Sequence, residues 1–188
     1  VLVIAVAGIV AGVVRYRIDN RFDLTVGGHT ISKDEYVNCM KSVEYDTEVQ
    51  IQQDYDAVYE DGFWEKKYDG KYGYEILTEN TVEQLKYIHA VYDLAEEYKF
   101  QILAMEVMPD HIHLLVDCKP QFYISDMIKI MKGNLARQMF LAHPELKKEL
   151  WGGHLWNPSY CAITVSDRSR DQVLAYIEGQ KEKEKKKA

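Results

Sequence analysis

The sequence predicts an α+β fold, with helices packed on an antiparallel sheet in the C-terminal half and a mainly helical N-terminal region before it. Residues 101–108 (QILAMEVM) and 111–117 (HIHLLVD) are apolar runs of strand length, separated only by Pro109 and Asp110. Two such runs joined by a short turn pair as an antiparallel hairpin. The flanking segments carry apolar residues at three- and four-residue spacing, as amphipathic helices do. The order helix, strand, strand, helix, strand, helix is typical of a two-layer α+β domain.

The chain begins with an uninterrupted apolar run, residues 1–14 (VLVIAVAGIVAGVV). The run is shorter than the roughly 20 residues that span a membrane, but it fits the end of a transmembrane helix or the core of a signal peptide. Arg15, Arg17 and Arg21 follow it, and this bias would keep the C-terminal side in the cytoplasm. We therefore predict a membrane or signal segment, with a buried core strand or helix as the alternative.

Residues 15–98 are predicted to form an acidic, mainly helical region. Within it, residues 22–30 (FDLTVGGHT) indicate a short strand with a Gly-Gly turn. Ser32, followed three residues later by Glu35, is a capping-box pattern that predicts a helix start. Residues 33–60 contain no proline or glycine and suit one or two amphipathic helices.

A glycine-containing segment then separates this region from a further helix. Residues 61–73 carry glycines among charged and aromatic residues and predict a loop. Thr81 is expected to cap the helix, which should end near Lys99. The C-terminal domain, residues 99–188, is predicted to begin there.

The C-terminal domain continues with two more helices and a strand. Apolar residues at helical spacing predict a helix over residues 124–142. An aromatic, glycine-containing loop (WGGHLWNPSY) follows it. Residues 160–165 (YCAITV) indicate a third strand, and a last helix is predicted over residues 170–183.

Charge is distributed unevenly along the chain, which has a net charge of −7. Residues 1–100 hold 19 acidic and 10 basic side chains, whereas residues 101–188 hold 11 acidic and 13 basic ones. Only the second half is therefore suited to a polyanionic partner such as nucleic acid. The three cysteines are far apart and in no CxxC spacing, which argues against a disulfide framework or a zinc site.

Two histidines form a candidate metal-binding pair. His111 and His113 are two residues apart on a predicted strand, and side chains at this spacing project from the same face. The pair could therefore supply two nitrogen ligands to one cation. The alternative is two ordinary half-buried histidines.

The last predicted helix carries a candidate nucleophile and a third ligand. Tyr176 and Gln180 are four residues apart, so they share one helix face. The alternative is an amphipathic helix with a core tyrosine and a surface glutamine. If both pairs converge on a divalent ion, the glutamine carbonyl could complete its ligand set and the phenol could attack a polarised phosphodiester.

Four segments resemble, in order and spacing, those of HUH single-tyrosine transposases of small insertion sequences, the TnpA family. The segment AMEVMPDHIHLLVD is similar to the metal-binding strand, and MIKIMKGNLARQMF to the middle helix. ELWGGHLWNPSYCAITV is similar to the aromatic loop with its following strand, and VLAYIEGQ to the helix that carries the tyrosine. The resemblance covers residues 101–181.

This resemblance implies a ferredoxin-like HUH catalytic domain that acts in the cytoplasm on single-stranded DNA with hairpin ends. Tyr176 would cut and rejoin the DNA through a 5′-phosphotyrosine intermediate. His111, His113 and Gln180 would bind Mg²⁺ or Mn²⁺. Family members are homodimers in which the tyrosine helix of one subunit completes the active site of the other.

Other residues of the C-terminal half are weaker DNA-binding candidates. Lys129, Lys132 and Arg137 on the middle helix could contact phosphates, with a solvated helix face as the alternative. Trp156 could stack on a base, with packing of the loop as the alternative.

The N-terminal half departs from the transposase pattern. The strand and basic-aromatic stretch that precede the first helix in that family are not found, and this absence would leave a sheet edge unpaired and impair catalysis. Instead, TVGGHTISKDEYVNCM resembles the start of the chaperone region of secreted peptidyl-prolyl isomerase foldases, over residues 23–99. The alternative function is therefore a membrane-tethered, foldase-like binding protein with a non-functional transposase-derived C-terminus. Another HUH enzyme, such as a replication initiator or a repeat-associated tyrosine transposase, is a third possibility.

Overall fold

The computed structural model describes residues 22–108 and 111–179. Residues 1–14, where a membrane or signal segment is predicted, and the candidate ligand Gln180 lie outside the described residues. Within the described part, no helix is both long enough and apolar enough to cross a membrane.

The chain divides into two compact units, Val1–His89 and Ala90–Ala188, and the division falls inside one long helix. The described strands form three separate two-stranded antiparallel sheets. Helices pack against these short sheets, which confirms the predicted α+β class.

The first unit starts with a short hairpin. Strand β1 (Leu24–Val26) pairs with strand β2 (His29–Ile31). Gly27 and Gly28 connect them with φ angles of +59° and +91°, a conformation that two consecutive glycines adopt without steric cost. The predicted strand with its Gly-Gly turn is thus half of a β-hairpin.

Helix α1 (Lys33–Tyr55) follows directly. It begins as predicted, because the Oγ of Ser32 accepts a hydrogen bond of 3.2 Å from the backbone N–H of Glu35. Tyr36 and Cys39 on its buried face join Val26, Ile31 and Leu85 in one apolar cluster.

Replacing Ser32 with Ala is expected to lower the free energy of unfolding by about 1 kcal/mol, since it leaves a helix N-terminal N–H without its side-chain acceptor. Urea unfolding of the full chain measures this loss. Ser32→Asp should retain the stability, because aspartate accepts the same bond. Equal stability of the alanine and serine proteins would show that the cap contributes nothing.

The segment predicted as a loop contains regular structure, so that prediction is wrong. A short 3-10 turn, Phe63–Glu65, leads into strands β3 (Lys67–Tyr68) and β4 (Lys71–Tyr72). The connection is Asp69–Gly70 with φ angles of +48° and +84°. An Asp-Gly pair favours the tight turn of a hairpin, and this signal was present in the sequence.

Helix α2 runs from Gly73 to Glu97, so the prediction that Thr81 caps it is wrong. Thr81 lies fully buried inside the helix, where its Oγ1 donates to the carbonyl of Leu77 at 2.7 Å. Near the actual start, the backbone N–H of Tyr72 donates to the Glu75 carboxylate at 2.8 Å. The end close to Lys99 is as predicted.

The second unit contains the predicted antiparallel hairpin. Strand β5 (Gln101–Val107) pairs with strand β6 (Ile112–Asp117), and Val107 lies opposite Ile112 near the turn. A register irregularity lies between Ile102 and Ala104.

Three helices complete the second unit: α3 (Ile124–Ala142), the single turn α4 (Leu146–Glu149) and α5 (Arg170–Glu178). The core forms where α3 meets the end of α2 and the strand pair. Its buried members are Ala90, Val91, Leu94, Ala95, Phe100, Met127, Met131 and Leu135. The spacing of the last three confirms the predicted apolar face of α3.

The third strand predicted over residues 160–165 does not form. These residues lie mainly exposed, with 78% of Ile163 accessible to solvent. A strand is stabilised by pairing with a neighbour and by burying one face. Neither occurs for this segment within the described residues, so its apolar composition alone does not produce a strand. Of the predicted last helix, residues 170–178 are helical and the remainder lies mostly outside the described residues.

Candidate functional site

The two candidate histidines lie at the start of β6. His111 directly precedes the strand and His113 is its second residue. Their Nε2 atoms are 2.9 Å apart, and the ring centroids are 4.6 Å apart with the planes nearly perpendicular. The two-residue spacing thus brings the Nε2 atoms of both imidazoles together at the start of β6.

The electrostatics at His113 favour an uncharged ring. Burial lowers the pKa of His113 below its ordinary value, and the neighbouring His111 lowers it further through charge repulsion. A neutral imidazole keeps a lone pair available, and this is the form that binds metal ions.

The candidate nucleophile lies beside the histidine pair. Tyr176 is on α5, which packs against β5 and β6. Its ring centroid is 6.0 Å from that of His113, at an interplanar angle of 78°. Tyr176 is 52% exposed, whereas the next residue, Ile177, is only 4% exposed. The isoleucine therefore anchors the helix while the tyrosine remains accessible beside the imidazoles.

The third predicted ligand, Gln180, lies outside the described residues. Among residues 22–108 and 111–179, no group of three or more histidine, cysteine, aspartate or glutamate side chains is arranged to hold a metal ion. A cation bound by His111 and His113 would therefore need further ligands beyond the histidine, cysteine, aspartate and glutamate side chains of these described residues.

The spacing of the two nitrogens fits shared coordination. Two nitrogens bound at about 2.1 Å in adjacent positions of an octahedral ion lie about 3 Å apart. The observed 2.9 Å between the Nε2 atoms, which is a hydrogen bond between the two rings here, is close to that value.

The weaker candidates occupy different environments. Lys129 and Arg137 lie exposed on α3. Trp156 packs against the core, and its Nε1 is buried without a hydrogen-bond partner among the described residues. The Nζ of Lys132 donates to the carbonyls of Asn157 and Ser159, each at 2.8 Å.

Sequence reasoning missed the turn that Lys132 contacts. The Asn157 Oδ1 accepts hydrogen bonds from both the backbone N–H and the hydroxyl of Ser159, at 2.9 and 2.8 Å. Asparagine followed by proline and serine is a recognisable turn signal. It identifies the turn but not the lysine that contacts it from another helix.

Comparison with known proteins adds to this geometry. The family described as Transposase IS200 like matches residues 69–180, more than half of the chain. The match begins upstream of residue 101 and includes α2. The ISDra2 transposase TnpA of Deinococcus radiodurans is 48% identical over 114 residues, which are 61% of this chain and 80% of that protein.

Two further similarities are more distant or less extensive. The transposase for insertion sequence element IS200 of Salmonella typhimurium is 27% identical over 92 residues, covering 49% of this chain and 60% of that protein. A solved structure from Deinococcus radiodurans, described as that of a transposase, has 46% sequence identity to this chain and a TM-score of 0.41. The similarity covers 52% of this chain and 75% of the chain in that structure. None of these matches supports the resemblance of residues 23–99 to foldases.

The family model matches more than half of the chain, and the chain covers 80% of a relative that is 48% identical to it. The chain therefore belongs to the IS200-like transposase family.

Proposed function

We propose that this transposase cuts single-stranded DNA with Tyr176 and rejoins it through a 5′-phosphotyrosine intermediate. The observation that carries the proposal is the 6.0 Å separation of the Tyr176 and His113 rings, next to two imidazole nitrogens 2.9 Å apart. A phenol beside a possible cation site is the arrangement that nucleophilic attack on a phosphodiester needs.

The chain's own residues would perform the following step. The Tyr176 Oη attacks the scissile phosphorus and loses its proton to solvent. A bond forms between Oη and phosphorus, and the bond from phosphorus to the 3′ oxygen breaks. That oxygen takes up a proton and leaves as a 3′-hydroxyl. Because the phosphodiester is stored as a phosphotyrosine, a second 3′-hydroxyl can reverse the reaction and join a different strand.

His111 and His113 would hold Mg²⁺ or Mn²⁺, with Gln180 as the third protein ligand through its carbonyl oxygen. When bound, the ion would polarise the scissile phosphate and offset its charge as the nucleophile approaches. The histidines contribute by fixing two ligand positions beside the phenol.

The functional unit is proposed to be a homodimer acting on DNA with hairpin ends. The phenol and the imidazoles lie close together within one chain. A dimer could exchange the tyrosine helix between subunits without changing these contacts, because the tether before α5 is exposed and irregular.

Capture of the covalent intermediate tests the proposal. The full chain is incubated with a randomised single-stranded oligonucleotide pool and either Mn²⁺ or Mg²⁺, in parallel reactions. Each reaction is digested with protease and examined by mass spectrometry. The expected product is a nucleotide-modified peptide that contains Tyr176. The proposal fails if cleavage occurs but the modification maps to another residue, or if no strand is cut with either ion.

A further inference from the structure

The strongest unassigned feature of the second unit is the environment of Lys132. This lysine lies in the middle of α3, and its ammonium donates to the carbonyls of Asn157 and Ser159 at 2.8 Å each. It also lies 5.9 Å from the centroid of the Tyr160 ring, within cation–π range. Two carbonyls and one aromatic ring of a single loop thus surround the ammonium of Lys132. This is the ammonium that the sequence suggests as a contact to a DNA phosphate.

The loop that contains Asn157 and Ser159 has hydrogen bonds of its own. The Asn157 side chain closes a turn around Pro158 by accepting two hydrogen bonds from Ser159. Trp156, just before the turn, packs on the core. We call Lys132, Asn157 and Ser159 the loop brace, since together they fix this turn to α3.

The segment after the brace leads to the proposed nucleophile. Residues 161–164 are exposed and without regular secondary structure, and α5 starts at Arg170. Among the described side chains of α5, Ile177 is the buried one. Tyr176 is therefore held by the packing of α5 on β5 and β6, with Ile177 buried behind it, and the chain reaches that helix from the loop brace.

We propose that Lys132 is a positioning residue, which fixes the start of the tether to the tyrosine helix and does not bind a DNA phosphate. The inference rests on the proposed role of Tyr176. It assigns the ammonium of Lys132 to two backbone carbonyls, so the lysine would act on the reaction only through the placement of α5.

Loss of the loop brace should slow cleavage mainly by misorienting Tyr176, and less by increasing the conformational entropy of the tether. Freeing four or so extra residues would lower the chance of contact between the tether ends by less than about two-fold. Misplacing a reacting group by about 1 Å can lower a rate by about 100-fold. We expect Lys132→Met to lower the cleavage rate by about ten-fold.

The Lys132→Met variant should fold, because methionine retains most of the alkyl side chain. Asn157 and Ser159 are exposed, so water can solvate the carbonyls that lose the lysine. The matched control is Lys148→Met, which removes an exposed lysine on α4. Each full-length protein is tested for cleavage of the oligonucleotide that the wild type cuts, for affinity at several salt concentrations, and for amide hydrogen exchange in residues 157–166.

A positioning role predicts faster exchange in residues 157–166 and slower cleavage in Lys132→Met, with DNA affinity and its salt dependence as in Lys148→Met. A phosphate contact predicts instead a loss of affinity and a salt slope reduced by about 1, which would overturn the inference. Unchanged exchange or unchanged cleavage would also overturn it. If the wild type cuts no DNA, the proposed function itself fails, whereas the exchange data still decide whether the brace exists.

Discussion

Replacing Tyr176 with Phe is expected to abolish the covalent protein–DNA adduct and to slow cleavage at least about 1,000-fold. The substitution removes only the hydroxyl oxygen, which is the atom proposed to form the bond to phosphorus. The ring is 52% exposed and α5 is anchored by Ile177, so the fold and the affinity for DNA should remain unchanged. Single-turnover cleavage of a labelled oligonucleotide, with adducts resolved by denaturing electrophoresis, measures the loss.

Tyr123 provides the matched control for this experiment. It is 75% exposed and lies just before α3, so Tyr123→Phe also removes one surface phenol oxygen. This variant should cut as fast as the wild type. An adduct that persists in Tyr176→Phe, or an equal loss in Tyr123→Phe, would contradict the assignment of the nucleophile.

The histidine pair illustrates what the sequence predicts well. Two apolar runs separated by two residues can pair with few alternatives, and strand alternation then puts His111 and His113 on one face. Both features depend on contacts close in sequence. The 2.9 Å between the Nε2 atoms follows from that local geometry.

The start of α2 shows why local signals can mislead. Thr81 has the chemistry of a cap, but it lies buried in the helix and bonds to the preceding turn. The helix begins at Gly73 instead, where Glu75 accepts the hydrogen bond of Tyr72. A glycine at a helix start and a glycine in a loop give the same sequence signal, so the packing of the preceding hairpin decides between them.

The segment from Lys132 to Ile163 could not be predicted from local pattern. Lys132 has the spacing of a surface lysine, and only the fold brings the carbonyls of Asn157 and Ser159 to its ammonium. Residues 160–165 have strand-like composition, but a strand also requires a partner. The two lysine bonds join groups that are 25 and 27 residues apart in the chain, beyond the reach of a local sequence pattern.

Replacing His113 with Ala is expected to weaken Mn²⁺ binding more than about 100-fold, since even loss of a group that only orients a metal ligand lowers affinity about 10- to 100-fold. Isothermal titration calorimetry of the full chain measures the affinity. His154→Gln, which changes an exposed histidine in the loop after α4, is the control and should bind the ion as the wild type does. Unaltered binding in His113→Ala would exclude the histidine pair as the metal site.

The same variant can show whether the active site is shared between subunits. His113→Ala retains the proposed nucleophile, and Tyr176→Phe retains both imidazoles, so neither protein alone should cut DNA. If the tyrosine helix is exchanged, a mixed dimer contains one intact site, made of His113 from the Tyr176→Phe chain and Tyr176 from the His113→Ala chain. If each site is complete within one chain, every site in the mixed dimer carries one of the two substitutions. Recovery of cleavage on mixing therefore requires exchange of α5 between chains. Continued inactivity, with mixed dimers demonstrated by differential tags, indicates a site completed within each chain, as the 6.0 Å separation of the two rings in a single chain allows.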